Sequence, residues 1–247
     1  MQEKYYICIK IKGTDKQAVK TTVYHPYFSP RPKNKLIHFF MNAIKRIVLT
    51  GGPCAGKTSA LKYIIEHCKA QGYKVFCVPE VPTMISKSGW NYLTSNYDFY
   101  YEGEKAILEL QLHLEDAIYR MAQTRTEPCL IVCDRGTMDI SAYIAPEMWE
   151  EITAACGTST AELRSILRYD AVFHLVSAAK GAQQYYTTAN NEQRYEKADA
   201  EGLRIACELD QKAYDAWTGH PNRYVIGSNE NFEQKMKMLI ERIDALL

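Results

Sequence analysis

Residues 51–58 read Gly-Gly-Pro-Cys-Ala-Gly-Lys-Thr, so Gly51, Gly56, Lys57 and Thr58 fill the spacing G-x-x-x-x-G-K-[ST]. That spacing suits a polyphosphate. Glycines let the backbone fold until successive N–H groups point inward at phosphate oxygens, and a helix opening near the lysine adds its positive end. Lys57 is then expected to reach the β- and γ-phosphates, and the Thr58 hydroxyl to coordinate Mg²⁺. The expected nucleotide-binding set is Gly51, Gly52, Pro53, Cys54, Ala55, Gly56, Lys57, Thr58 and Ser59. Within it Cys54 counts as a small residue whose backbone matters.

Two acidic residues follow other apolar runs. Pro128-Cys129-Leu130-Ile131-Val132-Cys133 ends in Asp134, the layout of a Walker B carboxylate that shares a metal with the loop hydroxyl; a helix cap is the plainer alternative. Arg135 and Gly136 extend this to Asp-Arg-Gly, and Arg135 is placed to bind the phosphate or hydroxyl side of an acceptor. Asp139 and Tyr143 follow on one helical face, with a surface role as the alternative. Val75–Val78 runs into Pro79-Glu80, where a carboxylate can orient an attacking hydroxyl or take its proton. Residues 90–101 (WNYLTSNYDFYY) form an aromatic connection suited to a lid or pocket wall. Residues 180–195 are polar and irregular and stand where small P-loop kinases keep a mobile lid; Arg194 and Arg204 are its candidate arginines, and pairing with Glu192 or Asp199 is the alternative.

These positions make sense only if strands deliver them. Apolar runs at 46–50, 74–79, 129–134, 171–176 and 222–226 alternate with helical periodicity at 57–70, 102–125, a stretch ending near Trp217, and 229–246. On 102–125 the expected buried stripe is Ile107, Leu110, Leu114, Ala117 or Ile118, and Met121. The fold class is therefore α/β: a P-loop NTPase with a kinase-like, parallel five-stranded sheet, helices on both faces, and ligands at the carboxyl ends of the strands. The chemistry is expected just after residues 50, 79, 134 and 176.

The chain has 247 residues, 47% of them apolar and 24% charged, which fits one large globular core. Its net charge of +1 conceals an asymmetry. Residues 1–45 hold nine Lys/Arg against two Asp/Glu, leaving 21 against 27 in the rest. Two regions are expected: a basic N-terminal extension, 1–43, and a P-loop domain, 44–247. No apolar run is long enough to span a bilayer, and the first residues lack the pattern of a signal peptide. Eight cysteines without a CxxC pair argue against zinc and for a reduced, cytoplasmic setting.

The segments IVLTGGPCAGKTSAL, VPEVP, LIVCDRGTMDISAY, NNEQRYE, LDQKAYDAWTGHPNRYVI and FEQKMKMLIERI together resemble a family of small, kinase-like P-loop proteins labelled AAA-domain ATPases. The same domain stands beside a CYTH domain in TRPL translocation defect proteins, and nucleoside, nucleotide and nicotinamide-nucleotide kinases are more distant relatives. The resemblance covers residues 44–247. It implies that Lys57 and Thr58 carry triphosphate and metal, that Asp134 and Arg135 form the DRG motif, and that Glu80 matches the strand-end base of deoxynucleoside kinases. Gln111 falls where such kinases place a glutamine lining the acceptor pocket. His220, in Gly219-His220-Pro221, is expected to be a turn residue.

Two functions compete. One is a Mg²⁺-dependent phosphotransferase moving the γ-phosphoryl of ATP to a small, nucleoside- or nucleotide-like acceptor, with Lys57, Asp134, Glu80 and Arg194 as catalytic residues. The other is a regulatory switch that ATP or GTP orders for a partner. No NKxD sequence is present, which tilts the base toward adenine. No nucleic-acid partner is expected, and no sensor or arginine-finger region follows the domain, so a monomer or dimer is expected rather than a ring-shaped motor.

Overall fold

The computed structural model describes residues 43–186, 199–227 and 231–247. The N-terminal extension expected over 1–43 lies, apart from Ala43, outside the described residues, and so does Arg194.

Five parallel strands form one sheet in the order β2-β3-β1-β4-β5. They are β1 (Ile44–Thr50), β2 (Lys74–Val78), β3 (Cys129–Asp134), β4 (Ala171–Leu175) and β5 (Arg223–Ile226). Central β1 pairs β3 with Leu49 opposite Asp134, and pairs β4 with Thr50 opposite His174. Parallel neighbours need helical crossovers, which are α1 (Lys57–Ala70), α2 (Val81–Lys87), α3 (Tyr97–Gln123), α4 (Pro146–Ala155), α5 (Thr160–Leu163) and α6 (Ala200–Ala216); α7 (Phe232–Asp244) follows the last strand. The chain order reverses around β1, and in such sheets ligands bind beyond the carboxyl ends of the strands at that point, here β1 and β3.

Alternation along β1 sorts its side chains onto two faces. Ile47 and Leu49 join a core with Ala60, Ile64 and Cys68 of α1 and Met236, Leu239 and Ile243 of α7. Arg46, pointing the other way, meets Glu115 of α3 at 3.2 Å. Among the described residues no helix is long and apolar enough to cross a membrane.

Most expected elements appear within a residue or two of their expected ends, but α7 begins at Phe232 rather than 229, where Asn231 caps it, and α3 differs more. It begins at Tyr97 rather than 102, because Asn96 caps it by accepting from the Phe99 N–H at 3.0 Å. Residues 97–101 of the expected aromatic connection are therefore the start of this helix. The buried stripe differs too. Ile107 is buried, but Met121 is exposed and Leu110 and Leu114 are only half-buried, while the polar residues Glu104, Gln111 and Glu115 face inward. Polar groups hold those positions because they have partners there: the Tyr100 hydroxyl for Glu104, and for Gln111 and Glu115 the groups described below. Helix α2, absent from the expected elements, starts at Val81, directly after Glu80, with a proline in its first turn, where a missing N–H costs nothing.

Candidate functional site

The loop between β1 and α1 turns through Gly51 at φ 133°, Cys54 at φ 53° and Gly56 at φ 86°. At Gly51 a Cβ would lie 2.1 Å from the Leu175 carbonyl oxygen, so the loop passes β4 at a distance that excludes any side chain. Lys57 opens α1 and donates to the carbonyls of Gly51 and Gly52 at 2.9 and 3.1 Å. Its ammonium thus lies over the loop. Burial, reinforced by the positive charge of Arg135, brings its pKa down to about 8 against the opposing pull of Asp134, Glu80 and Asp139. Thr58 and Ser59 are exposed on the first turn.

Asp134 ends β3. Burial pushes its carboxyl above the ordinary value, with the charge of Lys57 opposing. Its Oδ1 is buried and, among the described residues, accepts no hydrogen bond. A buried carboxylate oxygen without a donor is the fit expected of a hard-cation ligand, so Asp134 and the exposed Thr58 hydroxyl suit Mg²⁺.

Arg135 follows in the left-handed region, φ 69°, with its N–H on the Leu49 carbonyl at 3.0 Å. A non-glycine residue there costs roughly 1–2 kcal/mol, so surrounding contacts must hold it. Its Nε donates to Glu80 Oε1 at 2.6 Å, Nη1 lies 3.7 Å from Asp139, and the guanidinium stands 5.5 Å over the Tyr143 ring. Glu80 also accepts from the Thr83 hydroxyl at 2.7 Å. Burial raises the Glu80 pKa, but the charges of Arg135 and Lys57 and these two hydrogen bonds outweigh it and hold the group at about 2. Glu80 is therefore a firmly ionised acceptor.

Asp139 is neither a surface residue nor a free site carboxylate. Thr50 Oγ1 donates to its Oδ1, while Gly136 N at 2.9 Å and Trp217 Nε1 at 3.2 Å donate to Oδ2. It locks the end of β1 to the turn after β3. Gln111 donates to Glu115 at 2.7 Å and to the Arg135 carbonyl at 3.3 Å, so the structure places it beneath the Arg135 turn. His220 bonds the Tyr169 carbonyl at 3.1 Å and accepts from Asn222 N at 3.2 Å, a turn role. Arg204 lies on the exposed face of α6, paired with Glu201 and Glu208; Asp199 instead caps α6 by accepting from Gly202 N at 2.8 Å, and Glu192 lies outside the described residues.

The structure thus brings Lys57, Asp134, Arg135 and Glu80 into one charged cluster at the strand ends and keeps Arg204 apart from it. Sequence reading missed Asp210 and Lys235, two buried charges that bond the phosphate loop at Gly52 N and Ala55 O. The sequence carries no motif for either; a charge inside an otherwise amphipathic helix was the single available signal.

Sheet order, loop and strand-end carboxylate together define a P-loop α/β nucleotide-binding domain. A search of curated proteins finds no match. A family model described as an AAA domain matches residues 46–235, more than three quarters of the chain, and the chain belongs to that family.

Proposed function

We propose that the chain is a Mg²⁺-dependent phosphotransferase that moves the γ-phosphoryl of ATP to a hydroxyl of a small nucleoside- or nucleotide-like acceptor. One observation carries this reading: the Glu80–Arg135 pair stands at the ends of β2 and β3 within the electrostatic reach of both Lys57 and Asp134. Lys57 and the loop N–H groups of 51–59 would hold the triphosphate. Thr58 and Asp134 would hold Mg²⁺, which supplies charge neutralisation at the phosphates. Glu80 would accept the hydrogen bond of the attacking hydroxyl. As the acceptor oxygen bonds to phosphorus and the bridging P–O bond to ADP breaks, the hydroxyl proton passes to Glu80 and then to water. Arg135 would then steady the phosphate or hydroxyl side of the acceptor, with Gln111 beside it. Arg194 is the proposed lid arginine. A cytoplasmic setting, where ATP and Mg²⁺ are at hand, suits this reaction.

One feature favours the rival switch reading. A carboxylate with a pKa near 2 is a weak base, and a locked ion pair suits an ordered loop as well as an acceptor site. Glu80→Gln separates the two. For the phosphotransferase, ATP affinity survives while acceptor-dependent ADP release, found by screening nucleosides and vitamins, falls by roughly 10²-fold. Equal loss of affinity and turnover would make Glu80 a support of the loop, and no acceptor-stimulated release from any candidate would favour the switch.

A further inference from the structure

The phosphate loop is gripped on its buried side at four consecutive residues. Gly52 N donates to Asp210 Oδ1 at 2.8 Å, the Pro53 carbonyl accepts from the Ser177 hydroxyl, the Cys54 carbonyl accepts from Ala178 N at 3.2 Å, and the Ala55 carbonyl accepts from the Lys235 ammonium at 2.9 Å. Two of the four grips are charges from distant helices, Asp210 of α6 and Lys235 of α7, both buried. Each has a second hold on the segment leaving β4. Asp210 Oδ1 also accepts from Ser177 N at 3.1 Å, and Lys235 also donates to the Val176 carbonyl at 2.7 Å. The approach at Gly52 is close enough that a Cβ there would lie 2.7 Å from that of Asp210.

Burying an ion is costly unless its bonds are specific, so two of them behind one loop call for a role that apolar packing could not fill. A carboxylate behind a phosphate site would also repel the ligand unless neutralised. Lys180 Nζ pairs with Asp210 at 3.1 Å, the Lys235 charge acts on it as well, and His174 Nε2 stands 3.4 Å from its Oδ1. The arrangement sets direction: the carbonyls of Pro53, Cys54 and Ala55 are drawn onto buried donors, which fixes the orientation of the peptide groups that carry them.

Resting on the reading that this loop binds triphosphate, we propose that Asp210 and Lys235 are positioning residues for it. Each staples the loop to residues 176–180, and together they fix the direction of the loop's peptide groups without touching phosphate. The loop and the β4 exit then move as one unit, so nucleotide on the loop also biases the segment that leads away from β4.

The test is the Kd of the full chain for Mg-ATP, by calorimetry well below the melting temperature, in wild type, Lys235→Met and Asp210→Asn, with melts recorded for each. Lys235→Met keeps the chain length and removes the donors. Asp210→Asn keeps an oxygen for Gly52 N and removes the charge, which makes it the variant more apt to fold. Kd is expected to rise by roughly tenfold or more in Lys235→Met, the range for losing a hydrogen bond to a charged group, and by roughly fivefold in Asp210→Asn, whose bond to Gly52 N survives without its charge. A purely structural role would lower the melting temperature and leave Kd within twofold of wild type, and that result would overturn the proposal. If wild type itself binds no Mg-ATP, the nucleotide reading falls, and the proposal with it; loss of binding in Lys57→Ala but not in either staple variant overturns the proposal alone.

Discussion

Asp134 and Glu80 stand at the ends of adjacent strands, yet their surroundings drive them in opposite directions. Burial lifts the first, while Arg135 and Lys57 hold the second at about 2. Two carboxylates with diverging proton affinities invite different roles, here a metal ligand and an ionised hydroxyl acceptor. Asp134→Asn should therefore lower Mg²⁺-dependent turnover by at least ~10²-fold while ATP still binds, since an anchor for developing charge is lost. A magnesium titration of initial rates checks this, and near-wild-type activity would make Asp134 a mere cap. Lys57 and Lys235 add a pH dependence, because burial brings both down to about 8. The protonated forms attract phosphate, so affinity is full below that value and falls as pH rises through it. Between pH 7 and 9 the Kd for ATP should weaken by about tenfold. Lys57→Arg, which keeps its charge, should flatten much of that slope; a flat wild-type profile would contradict the assignment.

Helix α3 supports the site from below through a buried polar network. Fully buried Glu115 pairs with Arg46 at 3.2 Å and Arg168 at 2.8 Å, and accepts from Gln111 and from the Tyr169 hydroxyl, each at 2.7 Å. Tyr169 in turn accepts from Thr137 N at 3.1 Å, and Gln111 reaches the Arg135 carbonyl. The left-handed Arg135 turn is thereby held at both ends. Glu115→Ala leaves two buried arginines unpaired and should cost about 3–5 kcal/mol, read as a shift of the urea midpoint at unchanged slope. A loss below about 1 kcal/mol would show the network to be dispensable. The phosphate loop, the strand ends at Glu80 and Asp134, and the α1 boundary were legible because each is a local pattern of a few residues. The network was not. Arg46 meets Glu115 across 69 positions, and Gly52 meets Asp210 across 158, pairings no periodicity encodes. The stripe expected on α3 was misplaced for the same reason: an apolar pattern cannot foresee that Gln111 and Glu115 have buried partners. The start of α3 was hidden differently, by aromatic residues that are weak helix formers, although Asn96 followed by Asp98 is a usable start signal.

At the scale of the whole molecule, one sheet order explains why distant segments converge. With β1 at the centre, the loop after it, Arg135 after β3 and Ser177 after β4 meet at a single edge, and α6 and α7 return to place Asp210 and Lys235 behind the loop. Every role proposed for these residues depends on the loop holding a triphosphate. The most direct test is calorimetric binding of ATP with Mg²⁺ to the full chain, wild type against Lys57→Ala. The account predicts one site per chain in wild type, and in the variant a loss of tight binding with the fold intact, because the Lys57 ammonium contacts the carbonyls of Gly51 and Gly52 and is not packed in the apolar core. Equal ATP affinity in the two proteins would contradict it.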